Sequence, residues 1–268
     1  MIDVVVVSSE LTKNIYYLSP NSLVLKIGDC VVFETDNGLL YGTIVKESYK
    51  EKSDNLILPL MKVLRVTTKD DLSKIKKNSD NAKKALNEAK KLCSSFGLDM
   101  NFIDAYYYFD NSQLIFLFLS ENRVDFRELA KKLASKYKTR IELRQVGVRD
   151  KAKKIGGLGP CGLFLCCNSF LTDFNSVSIN MAKNQMLALN PSKINGICGR
   201  LLCCLGYEND NYTEMKKDLP KIGLVTDTPM GMGKVVSVDI FKKTFSVDLN
   251  EKGIVEFSKD ELNDGKNR

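Results

Sequence analysis

Asn81-Ala82-Lys83-Lys84-Ala85-Leu86-Asn87-Glu88-Ala89-Lys90-Lys91-Leu92-Cys93-Ser94-Ser95-Phe96-Gly97 is written with a helical period. Ala82, Ala85, Leu86, Ala89, Leu92, Cys93 and Phe96 recur at the spacing that lines one face, the lysines fall mostly opposite, and Gly97 supplies a stop. The pattern predicts a helix over residues 69–97, preceded by a strand at 60–67 and followed by strands at 101–109 and 113–119. A second helix is expected from Asp125, whose carboxylate is placed to cap it with Glu128 three residues on. It presents Phe126, Leu129, Ala130, Leu133 and Tyr137 on one face, and a strand at 139–148 follows. The order β-α-β-β-α-β suggests a ferredoxin-like split unit.

Outward from this centre, both ends read as β structure. Residues 29–35 alternate, Asp36-Asn37-Gly38 marks a turn, and residues 40–45 return. Residues 222–262 alternate again, and Lys26-Ile27-Gly28 and Lys221-Ile222-Gly223 each precede a strand pair, a weak sign that the ends repeat one small barrel. Between them, residues 151–218 turn to glycines, cysteines and short helical pieces, including residues 181–186 and the stretch after Gly199. The expected organisation is α+β: a β-barrel-like part over 1–67, a ferredoxin-like unit over 68–150, a cysteine-rich metal-binding segment over 151–220 and a β-rich part over 221–268.

The 268 residues carry a formal charge of +7 and no histidine. Without histidine the chain has no Ser-His or Cys-His pair and lacks the usual acid–base group and the usual nitrogen ligand of zinc, so sulfur must carry any transition-metal site. Eight cysteines, a four-valine run behind Met1-Ile2-Asp3 with no basic region, and no long apolar stretch lead to the expectation of a reducing, cytoplasmic location. No paired carboxylates stand out, so no catalytic residues are expected.

Six of those cysteines lie in two copies of one pattern, Gly159-Pro160-Cys161-Gly162-Leu163-Phe164-Leu165-Cys166-Cys167 and Gly196-Ile197-Cys198-Gly199-Arg200-Leu201-Leu202-Cys203-Cys204, offset by 37 residues. Flanking glycines permit a tight loop whose amides approach thiolates or sulfides. Adjacent cysteines diverge on a helix and oppose each other on a strand, so both members of a Cys-Cys pair do not easily bind one ion. The thiol set suits an iron–sulfur cluster, with zinc as the alternative; the absence of histidine and of a C-x2-C pair favours the cluster. If both loops bind one centre, the metal cross-links the ends of the intervening segment and couples its folding to loading. Cys30 and Cys93, at apolar-periodic positions, read as core.

Arg140, Arg144, Arg149, Lys151, Lys153 and Lys154 run into the first motif and, with Arg200, are candidates for contact with an anion or a partner protein; RNA phosphate is the less favoured occupant. Alternation puts Tyr106 and Tyr108 on one face of a strand and Tyr107 and Phe109 on the other, so at least one pair belongs to the core.

The run from Arg140 to Asp150, then Gly156-Gly157-Leu158-Gly159-Pro160-Cys161, Ser178-Ile179-Asn180-Met181-Ala182-Lys183, Leu189-Asn190-Pro191 and Gly196 to Leu201 closely resembles the YaaT (RicT) family of stage 0 sporulation proteins, with its polymerase-suppressor-type C-terminal domain. The resemblance implies a non-catalytic subunit of a complex with RicA (YmcA)-like and RicF (YlbF)-like helical proteins. It further implies iron–sulfur clusters, of the 4Fe–4S kind, held through cysteines. Such a complex acts with the membrane-bound RNase Y in mRNA processing, and so on sporulation, competence and biofilm formation, and is recruited to the membrane through that enzyme. All six motif cysteines match family positions, whereas Leu163 stands where the family commonly has arginine.

Overall fold

The computed structural model describes residues 1–172 and 174–261. The chain divides into two compact units, Met1–Thr172 and Asp173–Arg268. Both helices and strands are present, as the sequence predicts for an α+β protein.

The first unit opens with β1 (Ile2–Ser9), β2 (Asn14–Leu18), β3 (Cys30–Thr35), β4 (Gly38–Glu51) and β5 (Val63–Val66), which form one sheet in the order β2-β1-β4-β3-β5. Thr35 pairs with Gly38 across the expected hairpin, and the Thr35 hydroxyl donates to the Gly38 carbonyl at 2.7 Å. The sheet stays open rather than closing into a barrel: Ser19, just past β2, bridges Lys62, just before β5, and Pro20 then removes the next donor.

Helix α1 (Lys69–Ser95) starts at a full capping box. The Asp71 amide donates to the Thr68 hydroxyl at 3.3 Å, and the Asp71 carboxylate accepts from the Thr68 amide at 2.9 Å. Arg65 of β5 grips the same carboxylate with two nitrogens, which fixes the turn from sheet into helix and holds the Asp71 carboxyl well below the usual carboxylate range.

After α1 come β6 (Asn101–Tyr107), β7 (Gln113–Leu119), α2 (Arg127–Tyr137) and β8 (Arg140–Gln145). They make a three-stranded sheet, β6-β7-β8, in which β7 and β8 run parallel. The ferredoxin-like expectation fails here. Its first strand, β5, pairs with β3 of the other sheet, and β8 occupies the parallel position beside β7. The reason is that β7 is apolar on both faces. Leu114, Phe116 and Phe118 pack with Ala85, Ala89, Leu129 and Leu133 of the helices, while Ile115 packs with Val5, Val7, Phe33 and Val63 of the first sheet. A strand buried on both sides needs two covering layers, so the unit is built as helices, sheet, sheet.

Tyr106 and Tyr108 lie in that sheet–sheet core, and burial pushes the Tyr106 hydroxyl up to about 12. Cys93 is buried as expected and donates to the Leu98 carbonyl at 3.3 Å; burial raises its pKa and that of half-buried Cys30. Asp125 stands one residue before the N-cap, Phe126: its carboxylate accepts from the Arg127 amide at 3.2 Å and from the Arg127 guanidinium, so it meets the first amide of α2 without forming the expected box with Glu128.

The second unit holds α4 (Ile179–Asn184), α5 (Pro191–Ile194) and α6 (Cys203–Lys216), followed by β9 (Val225–Thr228), β10 (Gly231–Asp239), β11 (Thr244–Asp248) and β12 (Ile254–Ser258). α3 (Val148–Ile155) precedes them in the first unit. The four strands form an open antiparallel meander over Val235, Phe245, Val247, Leu249 and Phe257.

The suspected repeat of the two ends is visible bond by bond. Gly28 donates to Ile44 at 2.9 Å and Ile44 back to Asp29 at 2.9 Å; Gly223 donates to Val235 at 2.8 Å and Val235 back to Leu224 at 2.9 Å. Both glycines have φ near +92°, and the Thr228 hydroxyl donates to Gly231 at 2.6 Å as Thr35 does to Gly38. Among the described residues no helix is long and apolar enough to cross a membrane.

Candidate metal centre

Each cysteine motif folds as a miniature hairpin tip leading into a helical turn. In the first, Gly159 donates to the Leu163 carbonyl at 2.8 Å, Gly162 to Gly159 at 3.0 Å and Leu165 to Gly157 at 3.1 Å, with a bridge between Leu158 and Phe164. In the second, Gly196 donates to Arg200 at 2.8 Å, Gly199 to Gly196 at 2.9 Å and Leu202 to Ile194 at 2.9 Å, with a bridge between Asn195 and Leu201. Every one of these bonds recurs at the 37-residue offset of the sequence repeat.

Gly162 and Gly199 sit directly after the first cysteine of each motif at φ +79° and +77°, a region that costs an L-residue about 1–2 kcal/mol. The sequence therefore needs glycine there. Gly159 and Gly196 serve a different end. A side chain starting from Gly159 would begin 3.4 Å from the Cys161 sulfur, and one from Gly196 would begin 3.8 Å from that of Cys198. The backbone thus leaves open space beside each sulfur, a cradle that a Cβ would narrow.

The Cys-Cys pairs follow at the start of a helical turn. Asn168 donates to Leu165 at 2.9 Å, and at the same offset Leu205 donates to Leu202 at 3.2 Å, where α6 begins with Cys203 and Cys204. Neighbours on a helix diverge by about 100°, and the first pair is split accordingly: Cys167 is buried and Cys166 half-buried. Cys203 and Cys204 are both half-buried, Cys198 is half-buried and Cys161 exposed. Leu163 and Phe164, each 71% exposed, and Ile197 and Arg200 stand out on the two tips.

The second loop rests on a small core of Ala182, Ile194 and Leu205 with Val177, Met181, Leu201 and Leu202. Asn190 caps α5 by accepting from the Ser192 amide at 3.0 Å, and the Gln185 side chain donates to the Leu205 carbonyl at 2.7 Å, locking α4 to α6. Short helices unstable on their own are held by this mutual burial.

The donor chemistry fits a thiophilic centre: six cysteines, none in a disulfide, in two glycine-opened loops. Among the described residues no three cysteine or carboxylate side chains are gathered at metal-holding distance.

The basic stretch is divided by the fold. Arg144, Lys153 and Lys154 line a cavity of about 350 Å3 together with Tyr16, Tyr106 and Tyr108. Lys154 pairs with Asp104 at 2.8 Å and donates to the Leu11 carbonyl at 2.6 Å, Lys153 donates to Asn14 at 3.2 Å, and Arg144 pairs with Glu142 at 2.6 Å. Their charge thus serves largely to seat α3 and β8, while Arg140 is exposed at the start of β8 and Arg149 lies in the first turn of α3. The sequence reading missed α3; its only signal was Gly147 followed at three residues by Asp150, which accepts from the Gly147 amide at 3.1 Å.

The chain matches the PSP1 C-terminal conserved region over residues 61–146 and the third domain of PSP1-like proteins over residues 176–219. No solved structure matches it. It is 46% identical to the stage 0 sporulation protein YaaT of Bacillus subtilis strain 168 over 263 residues, covering 98% of this chain and 96% of that protein. On this near end-to-end likeness, the chain belongs to the family of the stage 0 sporulation protein YaaT.

Proposed function

We propose that the protein is a non-catalytic, cluster-bearing adaptor in a sporulation-related pathway. It carries iron and sulfide on the two cysteine loops and assembles with RicA-like and RicF-like helical proteins to modulate RNase Y-dependent mRNA processing. The observation that carries this reading is the hydrogen-bond identity of the two loops at a constant offset. A purely structural role gives no reason to duplicate a positive-φ glycine after an accessible cysteine.

In this reading Cys161, Cys198 and at least one member of each Cys-Cys pair ligate; half-buried Cys166 is the better candidate beside buried Cys167, and half-buried Cys203 and Cys204 are equivalent candidates. When bound, an iron–sulfur group supplies a rigid, thiolate-linked anchor. The protein's own part is to set the glycine-opened turns and to expose apolar side chains on each tip, Leu163 and Phe164 on the first and Ile197 on the second, which an amphipathic helix could cover. The reading implies a cytoplasmic protein brought to the membrane only by its partner enzyme.

The test is co-purification. Full-length Cys161→Ser/Cys198→Ser should lose the RicA- and RicF-like partners while its circular dichroism stays close to that of the parent. Unchanged partner affinity after loss of the metal would defeat the assembly role.

A further inference from the structure

Three lysine pairs, Lys76-Lys77, Lys83-Lys84 and Lys90-Lys91, repeat every seven residues along α1. Seven residues are about 10.5 Å of helix and drift only about 20° round the axis, so the pairs form one straight stripe about 21 Å long. All six side chains are exposed, and among the described residues none forms an ion pair within 4 Å. The buried residues Asp71, Asn78, Ala82, Ala85, Ala89 and Cys93 hold the opposite face against the sheet. Lys69 extends the stripe by one more step of seven; Asp70, in register with Lys77, and Asp80 are the acidic residues on it, and Glu88 at its edge pairs with Lys136 of α2.

An ordinary solvated helix interleaves signs so that neighbours at three and four residues attract. This face is nearly single-signed. A membrane-surface helix would need bulky apolar residues on the contact side, and from Ser73 to Lys91 the stripe has only Ser73, Asp80 and Asn87 between its lysines.

We infer that this face of α1 docks single-stranded RNA through its phosphodiester backbone, by charge and without base readout. The choice of RNA over another polyanion rests on the processing role proposed above. The binding itself does not, since it needs neither metal nor partner.

Fluorescence anisotropy of the full chain with a labelled RNA of about 12 nucleotides, titrated across salt, tests it. Six phosphate contacts at about 0.7 each give a log–log salt slope near −4. Lys83→Gln/Lys84→Gln should bring it to about −3 and weaken binding about 25-fold at 0.1 M salt, and Lys90→Gln/Lys91→Gln should do the same. Lys50→Gln/Lys52→Gln, at exposed positions elsewhere, should leave the slope unchanged, and matching melts confirm that the variants fold. Equal losses from the stripe and the control would overturn the inference. So would no measurable RNA binding, or tighter stripe-dependent capture by phosphatidylcholine vesicles with about 30% phosphatidylserine than by RNA. If RNA binds as stated but metal and partners do not, the processing role alone fails.

Discussion

The amide of Gly196 donates to the carbonyl of Arg200 at 2.8 Å, closing the tip that carries Cys198 just as Gly159 and Leu163 close the tip that carries Cys161. Because this closure requires the intervening glycine to adopt positive φ, Gly162→Ala and Gly199→Ala should each destabilise their loop by about 1–2 kcal/mol. Nothing lies within 4 Å of the new methyl in either case, so the cost is conformational and not steric. Iron content per chain after anaerobic purification should fall in both variants, with the melting temperature little changed.

Cys166 and Cys167 are neighbours with different surroundings, and the adaptor reading separates them. Cys166→Ser should lose metal and retain the parent melting temperature. Cys167→Ser should place a hydroxyl in a buried position and cost about 1–3 kcal/mol, whereas Cys167→Ala should keep its metal. Parallel metal analysis and thermal melts of the three variants check this, and loss of metal in Cys167→Ala would reverse the assignment.

Asp71 ties β5 to α1 through Arg65 and the Thr68 amide, and its carboxyl is held well below the ordinary value. A depressed folded-state pKa means that the unfolded chain binds more protons in the acid range, so this stabilisation is complete above an unfolded pKa of about 4 and fades as pH falls toward the folded value. Asp71→Asn should melt lower than the parent at neutral pH, and the gap should narrow below about pH 4. A constant gap across that range would contradict the ion-pair account.

Two glycines are required by close approach. A side chain on Gly42 would begin 2.6 Å from the Ser8 carbonyl oxygen, and one on Gly233 would begin 2.5 Å from that of Asp248. Gly42→Ala and Gly233→Ala should each cost on the order of 1–3 kcal/mol, since ladder backbone has little room to shift. Chemical denaturation of both variants measures it.

The sequence made α1, the hairpin at Asp36-Asn37 and the cysteine repeat legible because each is encoded locally, in a period, a turn or a spacing. The pairing of β5 with β3 was not legible, since a four-residue strand with one buried side chain, Val63, carries no mark of which sheet edge it joins. Asp125 does accept from the first amide of α2, that of Arg127, but the Arg127 guanidinium shares the carboxylate and the helix begins two residues later than the sequence predicts. Arg144, Lys153 and Lys154 looked like a surface patch from charge alone, but the fold spends much of that charge on Glu142, Asn14 and Asp104. The exposed tips Leu163 and Phe164 were visible as apolar residues, yet only the hairpin geometry puts them on the outside.

The most direct test of the cluster-bearing adaptor is the metal itself, measured as iron, zinc and acid-labile sulfide per chain after anaerobic purification or reconstitution. The account predicts iron and sulfide in equal amounts with a broad absorption near ~400 nm, both lost in Cys161→Ser/Cys198→Ser. Stoichiometric zinc without sulfide, or iron retained by that double variant, would contradict it.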